Sequence, residues 1–466
     1  MKYKILIIFA IAFFIRLIAL NQSLWLDEAT TARVVQQYNY QEIITKFSPN
    51  DFHPPFYYLF MKLWTNIVGY SEVALRMPSV LFSLATGYVV YLIAGIWGAV
   101  FFLFNPLIIY YSQEARMYMM ATFFLTGALH YFLQLVIARS KVTKQSHKNE
   151  IATAAFGGLA MTTALLTFYG SFFLVAAFLT YFLYKKQYKY FIVSLLIFII
   201  SLLLISPLLY KQLVNSKIAL ANVTNWSLVL GKANIKNLLL IPVKFSIGRI
   251  SFEPKGIYYL VAGIWTTFVI SQIAKLKTQN QNSNPKSINL FLYLFIFPLA
   301  LGFVISFITP LLQYFRFIYL IPIMSILLTF SILGKPLLHR SSGAGLIGVF
   351  LMFSLIYLLI PQFHREDWKS LVKSLPSNKP VYMITSSSDV LRYYNNSLKV
   401  IPLRSDFIGT TVGQEEIIVI PYTAEIHGVD YQKILQEKNY RLVNKKVFRE
   451  LELEHWANLN PTEAVK

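Results

Sequence analysis

The chain is 466 residues long, 56% hydrophobic, only 14% charged and free of cysteine. The apolar excess exceeds that of an ordinary soluble domain, and the lack of Cys excludes disulfides, a thiolate nucleophile and a Cys-ligated metal. The net charge of +21 sits almost wholly in residues 1–360, where 28 basic side chains face 8 acidic ones. Basic residues that flank apolar runs point to lipid headgroups and membrane topology rather than to nucleic acid.

The first apolar run, near 5–20, follows Met1-Lys2-Tyr3-Lys4 and is interrupted by Arg16. No small-x-small cleavage site follows it, so a retained membrane span is expected rather than a signal peptide. Directly after it comes Trp25-Leu26-Asp27-Glu28, two adjacent carboxylates in an acid-poor sequence. Apolar positions at Val34, Val35, Tyr38, Ile43, Ile44 and Phe47 predict one or two interfacial helices in this loop, the first over about 28–38 and beginning at Asp27. Further apolar runs lie near 78–95, 97–111, 117–138, 151–169, 171–184, 190–209, 256–274, 288–308, 316–333 and 343–360, giving 11 candidate spans. In lipid they must be helical, because unpaired backbone groups are costly there.

Alternation from a cytoplasmic N-terminus puts the lysine-rich loops 139–150, 185–189, 275–287 and 335–340 on one side, as the positive-inside rule requires. The polar stretch around 280–287 reads as a flexible link. Seven of the eight carboxylates of residues 1–360 then fall on the outer side, Glu150 alone facing the cytoplasm. Residues 361–466 differ. Helical patterns at 366–375, 388–395 and 430–438 alternate with strand patterns at 380–385, 399–402, 415–420 and 441–451, which predicts a small α/β domain. The fold class expected is mainly α: a polytopic helical bundle over 1–360 with an extracytoplasmic α/β domain over 361–466.

Three stretches carry residue types suited to chemistry. Asp27 and Glu28 stand at a helix start, where one reading is an N-cap with a dipole partner and the other is catalysis. Asp51-Phe52-His53-Pro54-Pro55-Phe56-Tyr57-Tyr58 is a rigid turn opening a helix; His53 there either packs in an aromatic belt or donates to substrate hydroxyls or phosphate. Tyr110 to Tyr118 contains Glu114 and Arg116, a charged pair at the mouth of apolar helices. Arg16, Arg76, Arg249 and Arg316 lie near outer span ends, where snorkelling is the ordinary role. Arg316, in Gln313-Tyr314-Phe315-Arg316-Phe317, is also placed to hold a phosphate in a bidentate fashion.

The runs WLDEATTAR, DFHPPFYYLFMKLW and YYSQEARMY resemble the bacterial members of glycosyltransferase family 39. These are GT-C-type membrane enzymes related to protein mannosyltransferases and the aminoarabinose lipid A transferase. Arg76-Met77-Pro78-Ser79 and Arg365-Glu366-Asp367-Trp368 resemble that group as well. The resemblance implies a polyprenyl phosphate sugar donor, a lipid, glycan or protein acceptor on the outer face, and Asp27 as the catalytic carboxylate. It extends less directly to Glu114 as a second acidic position, and to Arg76, Arg116, Tyr118, Tyr314 and Arg316 as substrate-binding residues.

The expected chemistry is inverting transfer. Asp27 acts as general base on the acceptor hydroxyl, while Arg116, Arg316 or Lys62 stabilises the departing phosphate. A retaining route needs two carboxyl groups about 5 Å apart, and neighbouring side chains on a helix point apart. Glu28 is therefore expected to orient an arginine or the acceptor. No cofactor is required. A divalent metal among Asp27, Asp51, His53 and Glu114 is an alternative without metal-ligand spacing. A transporter or lipid-linked sugar flippase is the rival function. It predicts functional charges near the midplane and duplicated halves, and no internal repeat is visible.

Overall fold

The computed structural model describes residues 2–138, 146–276, 285–333, 341–376, 379–404 and 415–459. Residues 280–284 of the expected link, 139–145 and 335–340 lie outside the described residues, while 285–287, expected as part of the link, open a helix. Each expected apolar run is helical. Among the described residues, six helices are long and apolar enough to cross a bilayer, and shorter apolar helices supply the rest. The chain is a multi-pass membrane protein.

The principal helices that place the site are α1 (Lys2–Leu17), α2 (Leu26–Gln37), α3 (Phe56–Val68), α4 (Glu72–Leu103), α5 (Pro106–Ser112) and α6 (Tyr118–Ala138). The runs 78–95 and 97–111, expected as two spans, are built differently. Helix α4 runs through both but breaks at Gly95, whose φ of 72° is open to glycine at little cost. It stops before Asn105, whose side chain accepts hydrogen bonds from the N–H groups of Leu107 and Ile108 and so caps α5, with Pro106 in the first turn. The non-helical turn 113–117 then separates α5 from α6. That turn carries Glu114 and Arg116.

The arginines near span ends do not all snorkel. Arg16 is fully buried and donates to Ser83 Oγ, the Ala12 carbonyl and the Leu103 carbonyl, tying α1 to the first half and to the last residue of α4. Arg76 is equally buried. A guanidinium has five donors in a fixed fork. Where backbone carbonyls can satisfy them, it serves as an internal clamp.

Helix α7 (Tyr188–Asn222) has 35 residues, roughly 52 Å at 1.5 Å per residue, against a hydrocarbon core of about 30 Å. Its end therefore stands beyond the bilayer. There Gln212 donates to the carbonyls of Ser48 and His53 at 2.8 and 2.9 Å, and Asn215 donates to that of Pro49 at 2.8 Å. These bonds fix the loop that carries Asp51 and His53.

The C-terminal region forms a five-stranded sheet from β1 (Val381–Met383), β2 (Val400–Pro402), β3 (Glu416–Val419), β4 (Tyr440–Phe448) and β5 (Leu451–Asn458), in the order β2-β1-β3-β5-β4. β1 is parallel to β2 and β3; β5 is antiparallel to β3 and β4. The single strand expected at 441–451 is a hairpin, its turn made by Arg449 and Glu450, the latter at positive φ. Short helices, α8 (Trp368–Lys373), α9 (Asp389–Tyr394) and α10 (Tyr431–Glu437), fill the expected positions. Alternation along β1 puts Val381 and Met383 into the core shared with the membrane helices, and Tyr382 into a second core on the other face.

Candidate active site

Helix α2 starts two residues earlier than its sequence suggests. Trp25, not Asp27, is the N-cap. The capping bond comes from Glu28, whose Oε2 accepts the Trp25 N–H at 3.4 Å. Asp27 is thus released from capping. Its side chain is 39% exposed, with Oδ2 3.6 Å from Arg116 Nη2.

Glu28 lies behind it and is fully buried. Arg76 Nε and Nη2 donate to Oε1 and Oε2 at 2.8 and 2.6 Å, and the Ala115 N–H donates to Oε1 at 2.8 Å. Burial alone would raise the Glu28 carboxyl, but Arg76 and Arg365 outweigh it and hold Glu28 below the usual carboxylate range. Arg76 spends its other donors on the carbonyls of Leu20, Gln22 and Ser23. Neither group keeps an atom for substrate. The catalytic role expected of Glu28 and the substrate role expected of Arg76 do not fit this geometry, because both are sealed in one buried pair. The expectation that Glu28 orients an arginine fits it.

Arg116 is 4% exposed in its side chain. Besides Asp27 it donates to the Tyr58 hydroxyl at 3.2 Å. Asp51 Oδ1 lies 3.3 Å from His53 Nδ1. Burial pushes the Asp51 carboxyl up, but His53, Arg116 and the Tyr58 hydroxyl bring it below its ordinary value. Asp27, Arg116, Tyr58, Asp51 and His53 therefore form one connected polar run. Tyr58 was not among the expected site residues, and Asp51 was expected only as a ligand of the alternative metal; their signal was their place in the same DFHPPFYY stretch.

Beyond His53 the wall is aromatic. Its ring stacks on Phe168 at 6.4 Å, Phe168 meets Tyr118 at 5.7 Å, and Tyr118 meets Phe315 at 5.7 Å. Tyr314 packs edge-on against Phe315. The Arg316 guanidinium lies 6.0 Å from the Phe315 ring and interacts electrostatically with Tyr118. Among the described residues the Arg316 guanidinium makes no hydrogen bond or ion pair, its backbone N–H alone donating to the Gln313 carbonyl. Lys62 is engaged elsewhere: its Nζ donates to the Val35 carbonyl at 2.6 Å and braces the end of α2.

Two further arginines border the site. Arg249 donates to the Tyr110 hydroxyl at 3.1 Å, and Arg365, at the start of the C-terminal region, lies 4.3 Å from the Tyr110 ring centroid. Arg249 differs from Arg16: it remains exposed, as a span-end arginine can, while its guanidinium reaches inward to the Tyr110 hydroxyl. Arg365 Nη1 is 3.1 Å from Glu114 Oε2. From the same region, the Tyr422 hydroxyl donates to Glu366 at 3.2 Å and lies in the field of Asp27. Among the described residues no three His, Asp or Glu gather into a metal-ligating group.

Glu114 shows how burial competes with pairing. Desolvation outweighs Arg365 and raises its carboxyl to about 7. In the unfolded chain it titrates near 4.5. Between those values the folded protein holds a proton that the unfolded chain has released, so this group's contribution to stability falls as pH rises from 4.5 to 7. Glu114→Gln should remove that part of the pH dependence. The check is thermal unfolding of both proteins across this pH range. Parallel curves would mean that Glu114 does not titrate there.

No family model matches the chain, and no curated protein matches it in sequence. Solved structures do match in fold. ArnT from Cupriavidus metallidurans superposes in the apo state with a TM-score of 0.61 at 13% identity, covering 100% of this chain and 99% of that one. The same protein bound to undecaprenyl phosphate gives 0.59 at 12% identity, with the same coverage. The Archaeoglobus fulgidus oligosaccharyltransferase tethered to an acceptor peptide gives 0.50 at 13% identity, over 96% of this chain and 74% of that one. Over the whole chain the fold is that of ArnT, with a partial likeness to the archaeal oligosaccharyltransferase.

Proposed function

We propose that the protein transfers a sugar from a polyprenyl phosphate donor to an acceptor hydroxyl on a lipid, glycan or protein, at the extracytoplasmic face. The observation that carries this reading is Asp27: a partly exposed carboxylate beside an almost fully buried cation, on the rim of a cluster of arginines. The fold supports it. The ArnT relative has been captured with undecaprenyl phosphate.

Asp27 takes the proton of the acceptor hydroxyl as the new C–O bond forms at the anomeric carbon. The bond from that carbon to the phosphate oxygen breaks, and polyprenyl phosphate leaves with the electron pair. Direct attack inverts the anomeric carbon. Arg316, unpaired, holds the donor phosphate, and Arg116 and Arg249 add positive potential as charge develops on it. Glu28 and Arg76 fix the backbone on which Asp27 stands. Residues 361–466 lie on the same outer side as Asp27 in this reading, and the lysine-rich loops lie inside.

The test is release of polyprenyl phosphate, with sugar transfer followed by mass spectrometry, from a panel of polyprenyl phosphate hexoses and pentoses. The purified protein is held in nanodiscs with envelope lipid extract as acceptor. Arg316→Gln should raise the donor KM by about 10-fold or more, the value of one hydrogen bond to a charged group. A wild-type protein that moves donor across the bilayer without breaking the sugar–phosphate bond would favour the flippase instead.

A further inference from the structure

The contacts between the C-terminal region and α2 suggest more than a cover. Asp389, the first residue of α9, reaches across to α2 and meets it twice. Its Oδ2 accepts from Thr30 Oγ1 at 2.9 Å, and its Oδ1 lies 2.9 Å from Arg33 Nε. Thr30 is three residues after Asp27 and so its neighbour on the helix surface. A second bond from the same short helix holds the approach to α2: the Leu24 N–H donates to the Tyr394 hydroxyl at 2.8 Å. Arg33 is 10% exposed in its side chain and Asp389 29%, so the pair is shielded enough to keep one geometry. The bonds act on the turn that follows Asp27 and on the residue before the N-cap, one on each side of the proposed base.

We infer that Asp389 is a positioning residue: α9 of the C-terminal region sets the place of α2, and through it the reach of Asp27 toward the acceptor. The inference rests on Asp27 being the base. It explains why a small α/β unit is attached to a membrane enzyme. A base out of place by about 1 Å costs up to about 100-fold in rate while leaving donor binding to other groups. The donor contacts proposed above, Arg316, Arg116 and Arg249, do not touch Asp389.

The test uses the full-length protein in nanodiscs with Asp389→Ala, Asp389→Asn and Arg33→Met. Hydrogen–deuterium exchange over residues 26–37 should rise in Asp389→Ala. With the polyprenyl phosphate sugar that the wild type turns over best, kcat should fall about tenfold or more, while the donor KM changes by less than about threefold. Asp389→Asn keeps an acceptor for Thr30 and should lie between. Arg33→Met and Asp389→Ala should be non-additive in kcat. A lower unfolding temperature with kcat unchanged would overturn the inference and leave Asp389 as a domain-docking contact. So would unchanged exchange over 26–37. If Asp27→Asn stays active, it is the assignment of the base that fails, and the exchange data still judge the clamp. Should Asp389→Ala not fold, Asp389→Asn and Arg33→Met carry the same readouts.

Discussion

Asp27→Asn should abolish sugar transfer while the protein stays folded. A general base contributes about 10²–10⁴ in rate, and Asn keeps the shape of Asp without the ability to take a proton. The structure makes the substitution clean. Asp27 caps no helix, since Trp25 holds that position and Glu28 supplies the bond to its N–H. Among the described residues its one charged neighbour within 4 Å is Arg116, at 3.6 Å and nearly buried, but Asp27 itself is 39% exposed and the amide oxygen of Asn can still accept from Arg116, so the loss is that of a half-exposed pair, about 1 kcal/mol. The unfolding temperature should therefore barely move. The measurement is single-turnover transfer alongside thermal unfolding in detergent. Turnover near the wild-type rate would remove Asp27 from the chemistry.

The adjacent carboxylate should behave in the opposite way. Glu28→Gln leaves Arg76 charged, buried and without its counterion, a change that costs about 3–5 kcal/mol, a large share of an ordinary stability of about 5–15 kcal/mol. The main loss is of folded protein, not of turnover per folded molecule. Removing both charges, as in Glu28→Leu with Arg76→Leu, takes away the orphaned ion but strands the carbonyls of Leu20, Gln22 and Ser23 and the N–H of Ala115. The double variant should be destabilised by less than the sum of the single ones, yet remain below the wild type. Thermal unfolding of the three proteins reads this directly. A Glu28→Gln protein as stable as the wild type would mean that the pair is not the buried clamp its geometry describes.

These two outcomes separate residues that residue type and helix position do not separate, and that only the family resemblance had set apart. Asp27 and Glu28 are both acidic, both in the first turn of one helix, and both beside a membrane border. Long apolar runs sufficed to predict a polytopic helical bundle, because in lipid only a helix satisfies every backbone group of a single segment. Alternation of strand and helix patterns sufficed for the α/β unit. The breaks were harder to read. Gly95 and Asn105-Pro106 cut one long apolar stretch into pieces that put Glu114 and Arg116 in a turn, and the local residues carry that message only faintly.

The sequence by itself determined the membrane architecture and the three stretches that meet at the site, because hydrophobic length and turn chemistry are local properties. Which of the two carboxylates stays open to solvent was decided only by the tertiary structure. Arg76 looks like any span-end arginine until the carbonyls of Leu20, Gln22 and Ser23 and the carboxylate of Glu28 close around it. Arg249 and Arg365 join the site through Tyr110, and Arg365 reaches Glu114 from 251 positions away in the chain. A charged group's role depends on whether its donors and acceptors are already satisfied, and the partners that satisfy them here come from distant segments.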